Sequence, residues 1–305
     1  MVENARSINI VASILLAIGI LYIVGPLYLT LSTASQSYEY MLQNGLAWVP
    51  GTELFANMSK VIYDTRIPVQ MLNSLIVAFS NALGTCVLSF LSAYAIVYFR
   101  IRWGGVVFAL ILATIILPLD IRVITTYQVA SNIFSPLNAV LDFTRLNSLI
   151  EMVFGAPIQL ELSVLDTHFG LIAPLVAHGT GTFLFRQFFL TLPKDLFKAA
   201  RMDGAGPIRF LIDILLPLAR PSFASLFVLT FLSGWTQYLW PLVGASTPDM
   251  QTAVVGLARL VPDADGQVPD FPMIMAGAVL VSLVPLTMIA LLQRFLVQGL
   301  VLSEK

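Results

Sequence analysis

The sequence predicts an all-α, polytopic membrane protein with six transmembrane helices. Three observations carry that prediction. Of the 305 residues, 58% are hydrophobic and only 11% charged, against about 25% charged in a soluble domain. Six segments are apolar over about 20 residues, the length that crosses a bilayer core. Lysine and arginine crowd the loops of one side, as the positive-inside rule requires.

The first segment, about 8–29, follows Arg6. Its apolar run exceeds the 7–15 residues or so of a signal-peptide core, and Ser32-Thr33-Ala34 is a poor cleavage site, so it reads as a retained span. The others lie at about 72–99, 106–124, 169–189, 222–243 and 272–292. Six crossings return both termini to one face. That face then holds eleven cations (Arg6, Arg100, Arg102, Arg186, Lys194, Lys198, Arg201, Arg209, Arg220, Arg294 and Lys305) against five on the other (Lys60, Arg66, Arg122, Arg145 and Arg259). The excess places both termini on the cytoplasmic side of the membrane. The chain, 1–305, reads as a single transmembrane domain without internal repeats or low-complexity tracts. Its net charge of −1 offers no field for nucleic acid. The lone cysteine, Cys86, sits in an apolar run and reads as a small buried hydrophobe.

The long outer loops cover about 30–70, 125–168 and 244–271. Within 136–167, Leu137, Val140, Leu141, Leu146, Leu149, Ile150 and Val153 have helical spacing and predict an amphipathic helix at the outer surface.

The one sizeable cytoplasmic loop, 190–221, contains AARMDGAGPIRF. Thr191 can cap a helix, Pro193 suits a first turn, and Asp195 suits the positive N-terminal end. Good helix formers follow to Met202, and Gly204 with Gly206-Pro207 ends the run. Ala199 and Ala200 predict a thin face that another protein approaches closely, with Leu196, Phe197 and Met202 as apolar contacts. Pro217 and Pro221 predict a kink at the start of the fifth span, and Asp213 an ion pair with Arg209 four residues earlier.

Lys198-Ala199-Ala200, then Gly204, then Ile214-x-Leu216-Pro217, resembles the pattern E-A-A-x3-G-x9-I-x-L-P of the membrane subunits of ATP-binding-cassette importers. Six of seven fixed positions agree, and Lys198 replaces the usual glutamate. TFLFRQFFLTLPKDLFKAARMDGAGPIRF and LPLARPSFASLFVLTFLSGWTQYLWPLV are similar to the carbohydrate-uptake branch, as is NSLIVAFSNALGTCVLSFLSAYAIVYFR. The QYLWPL segment and the ending GLV-x-SEK are most similar to permease subunits of sn-glycerol-3-phosphate importers.

The resemblance implies a type I importer permease fold in a heterodimer with a second permease subunit. Two ATP-binding subunits would sit below, holding the ATP and magnesium, and an extracytoplasmic substrate-binding protein would deliver solute. This chain would bind no cofactor or metal and catalyse no reaction. No Gly-Lys pair occurs in it, so any phosphate-cradling loop belongs to another chain. The implied ATPase-coupling helix comprises Asp195, Leu196, Phe197, Lys198, Ala199, Ala200, Arg201, Met202, Asp203 and Gly204. Transport would proceed by alternating access of glycerol-3-phosphate, its phosphodiesters or sugars.

Polar groups in or near the spans are candidates to line the solute path: Asn81, Gln128, His178, Thr180, Thr230, Trp235, Gln237 and Trp240. The tryptophans also read as interface anchors, and His178 as a hydrogen-bonding group between helices. No arginine stands deep in a span to hold a phosphate. An ion-coupled secondary transporter is the rival reading, but no carboxylate lies deep in any span.

Overall fold

The computed structural model describes residues 4–99, 101–116, 121–261 and 268–301, and every regular element among them is helical. Three helices are long and apolar enough to cross a bilayer: Ile10–Ala34, Ile67–Tyr98 and Phe271–Gln293. The other three predicted spans are shorter or interrupted. The third appears as Gly104–Ile116, 13 residues, or about 20 Å at 1.5 Å per residue; its continuation at 117–120 lies outside the described residues.

The fourth predicted span, 169–189, is two helices, His168–Val176 and Gly179–Thr191. Pro174 withholds one backbone donor, and Gly179-Thr180-Gly181 is a weak helix start. Between them Ala177 adopts φ −77° and ψ 74°, and the N–H of His178 donates to Val176 O at 2.9 Å, an inverse γ-turn. The Val176 carbonyl also accepts from Thr85 Oγ1 at 3.2 Å. A break in an apolar setting thus keeps its backbone hydrogen-bonded, as it must where water is scarce.

The fifth predicted span begins with a 75° bend between Pro207–Leu218 and Arg220–Trp235. Pro217 lies in the first limb and Pro221 opens the second. Residues Phe210–Leu215 of the first limb wind as a π-helix. Beyond Trp235 the chain is interrupted and resumes as Leu239–Gly244.

The chain divides into two compact units, residues 1–69 with 256–284 and residues 70–255 with 285–305. In the first, the apolar window of the opening helix is wholly unburied by the rest of this chain. Its far end is tied down by polar groups. Asn57, 2% exposed, donates from Nδ2 to Ala34 O at 2.9 Å and to Gln36 O at 2.8 Å. The N–H of Gly51 donates to Ser35 Oγ at 2.8 Å, and that of Glu53 to Ser35 O at 2.9 Å. Asn57→Ala leaves both carbonyls unpaired and is expected to cost about 1–3 kcal/mol, read as a lower thermal midpoint of the lipid-embedded protein.

The second unit packs on small residues. A Cβ on Gly234 would stand 3.0 Å from Asn81 Nδ2 and 3.1 Å from Ala78 Cα, so Ile67–Tyr98 and Arg220–Trp235 cross at close range. Around Cys86, which is buried, gather Phe90, Tyr94, Phe185, Phe189, Phe210 and Leu226. Phe90 meets Phe185 edge-on at 5.2 Å and Phe189 at 5.4 Å. Arg186 lies 4.2 Å over the Phe108 ring, joining Gly179–Thr191 to Gly104–Ile116.

The single surface helix expected in 136–167 is two helices, Ser135–Phe143 and Leu146–Phe154. They part at Arg145, whose φ of 57° ends one and starts the other. The chain then runs extended, held by Asn138 Nδ2 to Leu160 O at 2.9 Å and by the N–H of Val164 to Ala130 O at 2.8 Å.

Candidate functional site

The loop singled out by its charge holds a helix at Lys194–Met202. Thr191 does not cap it: its Oγ1 donates back to Phe188 O at 2.7 Å, closing the preceding helix. Pro193 occupies the N-cap, and Asp195 sits in the first turn. At the far end Gly204 has φ 76°. Its N–H donates to Arg201 O at 3.1 Å, and that of Ala205 to Ala200 O at 2.9 Å. Those two bonds around a left-handed glycine make a Schellman cap, so the helix ends in a fixed turn.

One face of this helix belongs to the core of the second unit. Ala200 is 5% exposed and sits in the Phe185–Phe210 cluster, with Leu196 and Phe197 packed beside it. Phe197 contacts Phe210 at 5.0 Å and Tyr98 at 5.4 Å, and Tyr98 contacts Phe210 at 5.2 Å. Each such ring pair adds about 0.5–1.5 kcal/mol beyond burial. Tyr94 Oη donates to Pro207 O at 2.9 Å. The helix is therefore clamped to the end of Ile67–Tyr98 and to the first limb of the bent pair.

This arrangement corrects one expectation. Ala200 does not present a thin face to a partner; it faces inward, and of the two alanines only Ala199 is exposed. The outward face carries Asp195, Lys198, Ala199, Arg201, Met202, Asp203 and Gly204. Met202 is 83% exposed, and Ile208 across the turn 73%. Lys198 Nζ donates to Asp195 Oδ1 at 2.9 Å, a solvent-facing pair three residues apart; pairs of this kind contribute only a few tenths of a kcal/mol. Arg209 Nε donates to Asp213 Oδ2 at 3.3 Å.

The candidate path residues divide. Asn81 is buried; its Nδ2 donates to Thr230 O at 3.0 Å and its Oδ1 accepts from Thr85 at 3.3 Å. It ties helices together within the chain. Trp235 and Trp240 are 2% and 1% exposed. Trp235 stacks on Phe231 at 6.0 Å, and Trp240 Nε1 donates to Leu171 O at 3.2 Å. Both rings fill the second unit rather than anchor at an interface. His178 is exposed at the break between two helices, with Thr180 just inside the second. Gln128 is exposed on Val123–Ser131, and Gln237 is half-buried between helices.

The sequence reading missed a cavity of about 420 Å³ inside the second unit. Arg122, Thr125 and Thr126 line one side, and Phe169, Pro174 and Ala177 the other. Arg122 Nε is shielded from solvent and has no hydrogen-bond partner. The legible signal was the spacing: arginine and two threonines at i, i+3 and i+4 share one helical face.

Residues 148–301, which include Lys194–Met202, match the family described as binding-protein-dependent transport system inner membrane component. Over 311 residues the chain is 38% identical to the sn-glycerol-3-phosphate transport system permease protein UgpE of Yersinia pestis bv. Antiqua (strain Antiqua), with 100% of both chains covered. Among solved structures, a bacterial ABC transporter involved in import of the acidic polysaccharide alginate superposes with a TM-score of 0.72 at 21% identity, covering 96% of this chain and 98% of that one. A bacterial alginate ABC transporter in complex with a periplasmic protein bound to alginate pentasaccharide gives 0.62 at 12% identity, covering 95% and 94%.

Proposed function

Because the chain belongs to the binding-protein-dependent transport system inner membrane components, the permease subunits of ATP-binding-cassette importers, we propose that it moves glycerol-3-phosphate or a glycerophosphodiester by alternating access, driven through the helix Lys194–Met202. The chain is a multi-pass membrane permease subunit, and its similarity to an sn-glycerol-3-phosphate permease supports the solute class.

The observation that carries the mechanism is the aromatic clamp. Tyr98, Phe197 and Phe210 join the short helix to two longer ones, and the Schellman turn holds its exit angle. A partner gripping the outward face at Ala199, Met202 and Ile208 would move the helix as a rigid piece. That partner is one of two ATP-binding subunits, whose closure on ATP and magnesium supplies the differential affinity for two permease states. Lys198, where the family pattern has glutamate, reverses the charge offered to that subunit. Its pairing with Asp195 keeps the reversed charge compensated within the helix.

In the full assembly this chain pairs with a second permease subunit in a prokaryotic cell membrane and receives solute from an extracytoplasmic binding protein. Six crossings, with both termini cytoplasmic, place the 190–221 loop against the ATP-binding subunits. The third, fourth and fifth crossings are then assembled partly from short, broken or bent helices. The complete complex in proteoliposomes, with its binding protein, tests the solute. ATPase activity is expected to rise with glycerol-3-phosphate or glycerophosphocholine and to stay basal with maltose-type sugars. Stimulation by sugars alone refutes the solute assignment, and uptake that survives ATP depletion while a proton gradient is maintained refutes the importer mechanism.

A further inference from the structure

Helix packing does not account for the cavity at Arg122. Elsewhere in the second unit Asn81 Nδ2, Thr85 Oγ1 and Trp240 Nε1 find acceptors; Arg186 Nε and Thr252 Oγ1 do not, but Arg186 lies over the Phe108 ring. Arg122 Nε is cut off from solvent and finds none. Among the described residues, no carboxylate lines the cavity. His178, at the adjoining helix break, lies within electrostatic range of Arg122, so the neighbouring ring adds no compensating negative charge. Arg122 itself is half-buried, but a shielded guanidinium nitrogen without an acceptor forgoes a hydrogen bond, and an ionisable group within a membrane chain is a functional-site candidate.

We infer that the cavity bounded by Arg122, Thr126 and the helix break at Ala177 binds the phosphoryl group of the transported solute. The chemistry fits a phosphate mono- or diester. The planar guanidinium donates two parallel hydrogen bonds to phosphate oxygens. Thr126 brings a hydroxyl one turn away on the same face. Thr125 contributes less, because its Oγ1 already donates to Arg122 O at 2.9 Å. The volume of about 420 Å³ lies in the range of small-molecule sites, about 300–1,000 Å³. The rest of the lining is mostly apolar, so Arg122 and the threonines are its few polar groups, and breaks between helices are where transporters hold ions and charged solutes. This inference rests on the permease reading above, and it supplies the phosphate-holding arginine that the sequence did not reveal.

The test uses the complete complex in proteoliposomes, with uptake of glycerol-3-phosphate measured for the wild type, Arg122→Gln, Arg122→Lys and Thr126→Val. Co-purification of all subunits and an unchanged thermal midpoint establish that each variant is assembled. Arg122→Gln is expected to raise KM about tenfold, a change of about 1.4 kcal/mol. Arg122→Lys should fall between it and the wild type, since lysine keeps the charge but not the fork, and Thr126→Val should raise KM about threefold. Binding of inorganic phosphate to the detergent-purified complex should weaken in the same order. Wild-type uptake with an unaltered KM in Arg122→Gln overturns the site. Failure of the wild type to take up phosphorylated solutes, with phosphate binding still dependent on Arg122, sinks the solute assignment and leaves the site standing; phosphate binding indifferent to Arg122 overturns the site. Repeating uptake in vesicles of phosphate-free galactolipid separates solute from lipid headgroup. If the Arg122→Gln effect vanishes there, a lipid phosphate was the occupant and the inference is wrong.

Discussion

Ala200→Arg is expected to cut solute uptake by at least ~100-fold, with binding-protein-stimulated ATPase falling to the basal rate. Ala200 is 5% exposed and enclosed by the aromatic cluster around Phe210. A guanidinium forced there stays buried and unpaired, at a cost of several kcal/mol, or expels the helix from its seat. The second course needs only the clamp of Phe197 on Tyr98 and Phe210 to open. It is therefore a local unfolding, and the spans still insert. Even ~3 kcal/mol lost from the productive arrangement corresponds to a factor of about 100. Ala199→Arg is the control, because Ala199 points outward. It should leave the thermal midpoint of the isolated chain unchanged and weaken only recovery of the ATP-binding subunit on co-purification. Equal loss of midpoint in both variants would show that the two alanines do not differ in the way described.

Trp240→Ala should destabilise the second unit by about 3–5 kcal/mol, the range for deleting a large buried aromatic side chain. The ring is 1% exposed, and its N–H holds the Leu171 carbonyl at 3.2 Å. Leu171 lies in His168–Val176, the half-helix that ends at the γ-turn, so the loss falls on an element already short of backbone bonds. Trp240→Phe keeps most of the volume and forfeits the hydrogen bond, for about 1–2 kcal/mol. Denaturation of the purified complex followed by tryptophan-independent circular dichroism checks both. An alanine variant as stable as the wild type would return Trp240 to the role of an interface anchor.

Composition and periodicity made the all-helical membrane class legible, because a deficit of charge and a 20-residue apolar run follow from solvation alone. They could not show where a span breaks. Residues 169–189 read as one apolar stretch, yet the chain turns at Ala177. The carbonyl freed there is satisfied by Thr85, 91 positions earlier, a contact that no local window contains. Trp235 and Trp240 looked like interface anchors because tryptophan near a span end usually is one; whether the ring faces lipid or protein depends on the crossing of other helices. At Lys194–Met202 the helix and its glycine stop were legible from capping chemistry, but not which alanine faced inward, since Phe210 and Tyr98 decide that. Arg122 reads as a loop charge because the cavity it lines is completed by Phe169 and Pro174, distant in sequence.

The 75° angle between Pro207–Leu218 and Arg220–Trp235 has a mechanical consequence. A thrust directed along one cylinder resolves into about a quarter of its strength down the axis of the next and nearly all of it across that axis. Strokes delivered from below therefore arrive as tilting rather than as piston travel, so a gate built on residues 220–235 would part sideways with little net movement through the plane of the bilayer.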